Sequence, residues 1–237
     1  MERLDKLLSG TGHWSRREVK ELVRHGRVQI SGQAALKAEQ KVDPVSDTLE
    51  VDGVPISCGE FTYVMLNKPA GVLSAVEDRK QRTVLDLLPQ HLRRRGLSPV
   101  GRLDKDTEGL LLLTDDGEMT HRLLSPKCHV DKVYYARVGG TVAPGAQEAF
   151  RQGLLLPDGM RCLPAELEIL APGEVCVTVH EGKFHQVKRM LAACGAPVTY
   201  LRRLSMGPLR LDETLTPGQF RLLSQEEIAN LRFVTGK

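Results

Sequence analysis

Hydrophobic residues in the first fifty positions follow helical spacing first and strand alternation afterwards. Apolar residues three or four apart predict two short helices, one over residues 4–10 and one that begins after Ser15. Ser15 and Glu18 fit a capping box, in which the serine oxygen accepts from a free amide and the glutamate reaches back. Alternating apolar residues then predict strands near residues 28–30 and 49–51. The pattern predicts a small module of two helices and a few short strands.

Downstream of this module, apolar runs of strand length and stretches of helical spacing alternate irregularly. The predicted strands cover residues 61–66, 110–113, 132–138 and 175–179. The predicted helices cover residues 83–88, 117–124, 143–151 and 184–193. Because the links between strands are short, we expect a mixed, mainly antiparallel sheet with helices packed against it. The fold class predicted for the chain is therefore α+β.

A short segment without either pattern separates the two regions. Residues 54–60, VPISCGE, contain a proline and a glycine and have no helical period, which is typical of a linker. We therefore predict one domain over residues 1–53 and a second over residues 61–237. A total of 237 residues agrees with two domains, because a single domain usually has ~100–150 residues.

The composition is that of an ordinary globular protein. Hydrophobic residues make up 41% and charged residues 27% of the chain, which excludes global disorder. Only 4% of the residues are aromatic, with Trp14 as the single tryptophan, so rows of base-stacking rings are not expected. No apolar run approaches the ~18 residues of a membrane helix, and charges occupy the first positions, where a signal peptide would be apolar. We expect a soluble, cytoplasmic protein.

Metal and redox sites have little support in the sequence. The five cysteines are scattered, at positions 58, 128, 162, 176 and 194. No two of them form a CxxC pair, so neither a disulfide framework nor a zinc ribbon is predicted. No P-loop or dinucleotide-binding glycine motif occurs either. We therefore expect no metal.

Charge is unevenly distributed although the net charge is only +3. Residues 1–30 hold seven Lys and Arg against four acids, and residues 61–95 hold seven against three. Residues 183–210 hold six basic residues and no acid. Any one stretch could be ordinary solvated surface, but three basic stretches separated by acidic ones favour contact with a polyanion such as nucleic acid.

The first module resembles a known RNA-binding domain. The segments RLDKLL, SRREVKELVRHGRVQISG and LEVDG together resemble the S4 RNA-binding domain over residues 1–53. The resemblance implies that the second helix rests on structured RNA through its basic residues Arg16, Arg17, Lys20 and Arg24. A helix-turn-helix in a DNA groove is the alternative. RNA is favoured because the helix runs directly into a β-hairpin through HGRV.

A candidate catalytic residue precedes the buried run Leu110–Leu113. In Gly101-Arg-Leu-Asp104, a glycine allows a sharp turn and the aspartate can be presented from a loop. The pattern alone is weak evidence for catalysis, because an aspartate in a loop usually forms a turn or caps a helix. We interpret Asp106, and the pair Asp115-Asp116 before the next helix, as such turn formers.

Four segments of the larger region resemble one enzyme family. They are Asn67-Lys68-Pro69, GRLDKDTEGLLLLTDDG, Lys132-Val-Tyr134 and EGKFHQVKRML. In this order they resemble the RsuA-like pseudouridine synthases of the small ribosomal subunit, from about Tyr63 to the end of the chain. The resemblance implies an α+β catalytic domain around a bent, mixed sheet. It also implies isomerisation of uridine, which neither gains nor loses atoms, so that no cofactor is expected.

The resemblance assigns roles to individual residues. Asp104 is the carboxylate beside the anomeric carbon, where it either adds to C1′ or takes a proton from C2′. Lys188 aligns with the basic residue that pairs with the aspartate, through a single ammonium contact. Tyr134 packs against the flipped base and can help move a proton, and Arg102 takes the space that the base leaves. Tyr134 and Tyr135 are expected on opposite faces of their strand.

Further basic residues are expected along the path of the RNA. They are Lys68, Lys183, Arg189, Arg202 and Arg203. His185 is expected to pack or to hydrogen-bond RNA rather than to act as a base.

The predicted function is conversion of a specific uridine in 16S ribosomal RNA to pseudouridine by a monomeric enzyme. The compact first module and the segment DDGEMTHRLLSPK favour the small-subunit RNA. A synthase acting on 23S ribosomal RNA, a non-catalytic RNA-binding assembly factor and a DNA-binding regulator are the alternatives.

Overall fold

The computed structural model describes residues 1–44, 46–56, 61–93, 95–125, 128 and 130–236. The chain divides into two compact units, one of Met1–Thr62 with Leu88–Leu97 and the other of Tyr63–Leu87 with Ser98–Lys237. This division differs from the prediction, since residues 88–97 group with the first unit rather than with the larger one. The sequence around Pro89 does not predict that residues 88–97 join the first unit, because this grouping depends on contacts with residues far away in the chain.

The described residues of the first unit form three helices and two small sheets. The helices are α1 (Leu4–Gly10), α2 (Arg16–Arg24) and the short α3 (Gln90–Arg93). Strands β1 (Glu2–Arg3) and β4 (Lys41–Val42) form one antiparallel pair. The other sheet is antiparallel in the order β3-β2-β5-β6, with β2 (Val28–Ile30), β3 (Gln33–Ala34), β5 (Leu49–Val51) and β6 (Val54–Ile56). Apolar residues of α1, α2, β2 and β5 are buried together in the core.

Two local predictions for this unit have opposite outcomes. The capping box of α2 is confirmed, because Ser15 Oγ accepts from Glu18 N and the Glu18 carboxylate accepts from Ser15 N. The linker prediction is wrong for residues 54–56, which form β6 and extend the sheet, since an exposed Pro55 is tolerated in an edge strand. The rest of the predicted linker, residues 57–60, lies outside the described residues.

The described residues of the second unit build a nine-stranded sheet. Its strands are β7 (Tyr63–Lys68), β8 (Ser98–Pro99), β9 (Glu108–Thr114), β10 (Lys132–Val138), β11 (Glu166–Ala171), β12 (Glu174–Val179), β13 (Val198–Met206), β14 (Leu209–Arg210) and β15 (Phe220–Leu222). The order is β11-β12-β10-β13-β9-β7-β15, with β8 on β9 and β14 on β13. Among these pairs, β9 with β13 is parallel and the others are antiparallel. The predicted mixed, mainly antiparallel sheet is confirmed.

Helices cover this sheet and complete an α+β fold. They are α4 (Gly117–Leu124), α5 (Ala146–Gln152), α6 (Gln186–Ala193) and α7 (Gln225–Thr235). The predicted bounds of α4 and β10 coincide with the observed ones. The helix predicted at 83–88 is a single 3₁₀ turn over Val84–Leu87. None of the helices in the described ranges has the length and apolar character needed to cross a bilayer.

Strand β13 was not predicted, and it is central to the sheet. Arg202 and Arg203 are adjacent in its middle, so the sequence shows no clean alternation of apolar and polar residues. Its parallel partner β9 has the opposite character, because Leu110–Leu113 are completely buried on both faces of the sheet. The two strands together bring the loop before β9 close to residues from the second half of the chain.

Candidate active site

Asp104 lies in the loop that leads into β9, and a buried lysine holds this loop in place. Lys68, at the end of β7, has no exposed surface. Its Nζ donates to the carbonyl oxygens of Asp104 (3.0 Å), Lys105 (3.3 Å) and Thr107 (2.8 Å), with Pro69 O also at 3.0 Å. Burial lowers the pKa of Lys68 to about 8, so the ammonium form still predominates at pH 7.

The prediction that Lys68 contacts RNA is therefore wrong. An ammonium that is enclosed by the second unit and fully engaged with backbone carbonyls is not available to a phosphate. The residue type alone does not show whether a lysine is a buried hydrogen-bond donor or a charge on the surface. Lys68 instead fixes the backbone from which the Asp104 side chain projects.

Lys188 contacts two carboxylates of this loop at once. Its Nζ lies 3.0 Å from Asp104 Oδ2 and 2.6 Å from Asp106 Oδ1. Burial lowers the pKa of Lys188, but hydrogen bonds to Asp106 and Asp104 outweigh that effect and the net pKa is raised. The hydrogen bond from Lys188 lowers the pKa of Asp106. Sequence reasoning missed Asp106, which was interpreted as a turn residue and is instead the second partner of Lys188.

His185 approaches Asp104 from the other side. Its Nε2 lies 3.4 Å from Asp104 Oδ1, and its backbone has a left-handed φ of +49° directly before α6. The imidazole stacks on the ring of Phe184, with centroids 3.8 Å apart and planes inclined by 21°. We expected His185 to pack or to hydrogen-bond RNA, and the structure in addition places it next to the candidate carboxylate Asp104.

Tyr134 lines the same cleft from the sheet. Residues of β10 alternate between buried and more exposed positions, and Tyr134 is buried while Tyr135 is partly exposed. Tyr135 packs edge-on against Tyr200, with ring centroids 6.2 Å apart. The prediction that the two tyrosines occupy opposite faces is confirmed. The cleft is lined by Tyr134, Asp104, Arg102, Lys188, His185 and Leu201 among other residues.

The remaining predicted basic residues of this unit have different environments. Arg102 is exposed and lines the cleft, and Arg202 is partly exposed on β13. Lys183 Nζ contacts Glu181 (2.9 Å) and the Arg161 carbonyl (2.5 Å). Arg189 pairs with Asp158. Lys183 and Arg189 therefore already have protein partners, whereas Arg102 and Arg202 are described only by their exposure and position.

Arg203 does not fit the predicted role in the RNA path. Its side chain is 2% exposed, and Nε donates to Leu110 O at 2.7 Å. The guanidinium ties β13 to β9 and cannot reach a phosphate from there, so the prediction for Arg203 is wrong. Lys132, on the same strand as Tyr134, is another buried base that sequence reasoning did not assign. Burial and the positive charge of Arg203 lower its pKa to about 8.

In the first unit, α2 presents its basic residues to solvent. Arg16, Arg17, Lys20 and Arg24 are all exposed, opposite the buried Val19, Leu22 and Val23. Lys20 pairs with Glu39 and Arg24 with Glu21, each at 2.9 Å. Arg16 and Arg17 form no ion pair with any other residue that the structure describes. These two are the cations of the helix that are most available to a ligand.

Comparisons with known proteins agree with this architecture. Residues 62–193 match the family model described as RNA pseudouridylate synthase, and residues 2–49 match the S4 domain. An uncharacterized RNA pseudouridine synthase of Bacillus subtilis, YtzG, is 46% identical over 230 residues, which cover 95% of this chain and 96% of that protein. Ribosomal small subunit pseudouridine synthase A of Escherichia coli K12 is 38% identical, covering 97% of this chain and 99% of that protein.

A solved structure extends the similarity to three dimensions. The crystal structure of a pseudouridylate synthase superposes with a TM-score of 0.69 at 36% identity, covering 98% of this chain and all of that one. Ribosomal small subunit pseudouridine synthase A of Vibrio cholerae is 39% identical to this chain, and the match covers 97% of this chain and 99% of that protein. With both halves of the chain matched, this protein belongs to the RNA pseudouridylate synthase family, in the RsuA-like group that carries an amino-terminal S4 domain.

Proposed function

We propose that this protein converts one uridine of 16S ribosomal RNA to pseudouridine, with Asp104 as the catalytic carboxylate. The observation that carries the proposal is the placement of Asp104 in a cleft with Lys188 Nζ at 3.0 Å and the buried ring of Tyr134 in the wall. Lys188 places a positive charge against the partly sheltered Asp104 carboxylate and so offsets its negative charge in the cleft.

The reaction breaks the bond between uracil N1 and C1′ and forms a bond between C5 and C1′. N1 gains a proton, C5 loses one, and the overall composition of the nucleotide does not change. Asp104 acts at the sugar, either by adding to C1′ or by taking the proton from C2′. Tyr134 supports the detached ring while it turns, because its aromatic face forms part of the cleft wall.

The target base must leave the folded RNA before it can enter the cleft. Extruding a base costs a few kcal/mol of lost stacking, which the enzyme recovers through its own contacts. Arg102 is exposed beside Asp104 and has a planar guanidinium suited to the space that the base vacates. In the first unit, the outward face of α2 provides sequence-independent contacts to phosphates through Arg16 and Arg17.

The choice of 16S ribosomal RNA rests on relatives. Two of the similar full-length proteins, from Escherichia coli and Vibrio cholerae, are named for the small subunit. The segment DDGEMTHRLLSPK also favours it, although its Pro126 and Lys127 lie outside the described residues. A 23S target would use the same catalytic residues, since specificity depends on surface fit. A non-catalytic assembly factor would be expected to lack Asp104, Tyr134 or Lys188, and all three are present.

Tritium release tests both the chemistry and the substrate. Unmodified 16S and 23S transcripts labelled at uridine C5 are incubated with the wild-type protein and with Asp104→Asn. Because C5 loses its hydrogen when it becomes the new glycosidic carbon, label in water reports the isomerisation itself. We expect release from 16S alone and none with the variant. Asp104→Asn should bind RNA within several-fold of wild type, because it removes one charge among many contacts.

Each other outcome has a definite meaning. Release from 23S alone would keep the chemistry and overturn the substrate. Release by Asp104→Asn would overturn the role of Asp104. Absence of release from both transcripts, repeated with protein-bound RNA, would favour a binding protein, and stronger binding to duplex DNA than to structured RNA would favour a DNA-binding regulator.

A further inference from the structure

The ring of Phe184 is exposed at the rim of the cleft that contains Asp104. Phe184 lies in the turn between β12 and α6, is 71% exposed, and lines the cleft together with Arg102 and Asp104. A single exposed apolar side chain is common on protein surfaces and has no meaning by itself.

The turn that carries Phe184 is braced from below. Glu181 is buried, and its Oε1 accepts from Leu163 N and from Gln186 Nε2, both within 2.9 Å. Gln186 Oε1 in turn accepts from Lys183 N at 3.0 Å. These hydrogen bonds hold the backbone on both sides of Phe184. A preorganised ring loses little freedom when a ligand packs on it.

Phe184 and His185 form a short stack that begins at the carboxylate. His185 Nε2 lies 3.4 Å from Asp104 Oδ1, and its ring lies 3.8 Å from that of Phe184. The left-handed φ of +49° at His185 places the two neighbouring side chains side by side. A left-handed residue other than glycine is unfavourable and persists where the surrounding structure holds it, often at functional sites. His185 covers one face of the Phe184 ring, and 71% of Phe184 is nevertheless exposed to solvent.

The chemistry of the cleft identifies the occupant as RNA. Arg102, Lys105 and Lys183 also line this part of the cleft, so a phosphate backbone beside the ring would be neutralised. Single-stranded RNA segments are recognised by stacking of their bases on aromatic side chains. We propose that Phe184 is a stacking platform for an unpaired nucleobase adjacent to the target uridine, which becomes the third ring of the stack with Phe184 and His185. This inference rests on the proposed function, because the uridine in the cleft fixes which bases come near Phe184.

Substitutions at Phe184 separate stacking from simple apolar contact. Phe184→Ala removes the ring, Phe184→Leu keeps an apolar side chain without an aromatic face, and Phe184→Tyr keeps the face. Phe233 is 86% exposed on α7 and does not line the cleft, so Phe233→Ala is the matched control. kcat and KM are measured by tritium release on the transcript that wild type modifies. 2-Aminopurine is then placed on either side of the modified uridine, because its fluorescence is quenched by stacking.

We expect Phe184→Ala and Phe184→Leu to raise KM about ten- to a hundredfold, because each variant loses one base–aromatic stack. kcat should change less than about threefold, because the platform lies outside the reacting atoms. Phe184→Tyr should restore KM and the quenching at one flanking position, and Phe233→Ala should match wild type.

Three results would overturn the inference. A KM for Phe184→Ala equal to that of wild type would show that the ring does not contact RNA. Full function of Phe184→Leu would show apolar contact without stacking. A fall in kcat as large as the rise in KM, with unchanged quenching, would show that Phe184 has only a structural role in the turn. An inactive wild type is a different result, since it rejects the proposed function and the inference with it.

Discussion

At the residue scale, one ammonium group serves two carboxylates of very different exposure. The side chain of Asp104 is 28% exposed and that of Asp106 is 76% exposed, while both contact Lys188 Nζ. An exposed ion pair contributes about 0–1 kcal/mol, whereas a hydrogen bond to a charged group in a sheltered site is worth about 1.5–3 kcal/mol. The contact with Asp104 should therefore be the one that matters for turnover.

This difference predicts unequal effects of two substitutions. Lys188→Met should lower kcat by about a hundredfold, because the carboxylate of Asp104 loses its cation. Asp106→Asn should lower kcat by less than about tenfold. Single-turnover rates at saturating RNA measure both effects, and Lys188→Arg serves as the charge-conserving control. If Asp106→Asn is as damaging as Lys188→Met, Asp106 has a direct part in the reaction.

Lys68 provides a prediction on stability. Lys68→Met leaves the carbonyls of Asp104, Lys105 and Thr107 without their common donor, so the free energy of unfolding should fall by about 3 kcal/mol. kcat should fall more than RNA affinity, because the loop that presents Asp104 is loosened. Denaturant unfolding and tritium release measure the two effects. Lys105→Met is the control for stability alone, since Lys105 is exposed and its Nζ contacts the Gln81 side chain. A near-neutral Lys68→Met would contradict the bracing role.

The same residue predicts a pH dependence. Burial lowers the pKa of Lys68 from 10.5 to about 8 in the folded protein. Between these pH values the unfolded chain binds more protons than the folded one, so Lys68 makes the free energy of unfolding rise with pH. The difference in that free energy between wild type and Lys68→Met should therefore grow from about pH 8 to about pH 10. A constant difference across this window would show that the folded pKa is not lowered.

At the scale of elements, the parallel pair β9–β13 depends on a glycine. Gly109 has a φ of +101°, and a Cβ there would lie against the Arg203 carbonyl oxygen and 2.8 Å from Arg203 N. These are backbone atoms of the adjacent strand, which cannot move without breaking the pairing at Arg202 and Arg203. The central strands can approach each other here only because residue 109 has no side chain.

Gly109→Ala should therefore destabilise the protein strongly. Backbone strain and overpacking of a sheet together cost about 3 kcal/mol or more. Gly117→Ala is the matched control, because a Cβ at Gly117, at the start of α4, meets open space. Thermal unfolding of the two variants should show a large loss for Gly109→Ala and a change within about 0.5 kcal/mol for Gly117→Ala. Similar melting temperatures would contradict the close approach of β9 and β13.

At the scale of the molecule, recognition of a long RNA needs charges outside the cleft that takes the uridine. Arg16 and Arg17 are exposed on α2 and have no ion-pair partner in the part of the chain that the structure describes. Lys20 and Arg24 must first exchange an acidic partner for a phosphate. Substituting the two arginines is preferable to deleting residues 1–53, because residues 88–97 belong to the same unit.

Arg16→Ala with Arg17→Ala should weaken RNA binding without slowing the bound enzyme. Each lost phosphate contact lowers the slope of log K against log salt by about 1, so the double variant should lose up to about 2. kcat at saturating RNA should stay unchanged. Arg151→Ala is the control, since Arg151 is exposed on α5 and pairs with Glu148. An unchanged salt dependence would place the docking contacts elsewhere. The monomeric state stays a prediction, which light scattering can measure.

Features with a local cause were predictable from the sequence by itself. The capping box at Ser15, the alternation of residues 132–138 and the helical spacing of residues 117–124 involve neighbours within a few positions. Asp116 similarly caps α4 by accepting from Met119 N at 2.9 Å, as expected of a turn residue before a helix. The family resemblance followed from motifs of the same short range, and it led to Asp104 without any structure.

The tertiary structure decided which charges are buried and which are shared. Lys68 and Arg203 read as surface charges in the sequence, yet both are buried donors to backbone carbonyls. Lys188 contacts Asp106, 82 residues away, and β13 pairs with β9 across a similar distance. A side chain's exposure depends on what distant segments pack against it, and residue type and local spacing hold no information about that. The sequence therefore determined the elements with a local pattern and the family motif around Asp104, while folding alone determined β13 and the partners of the charged side chains.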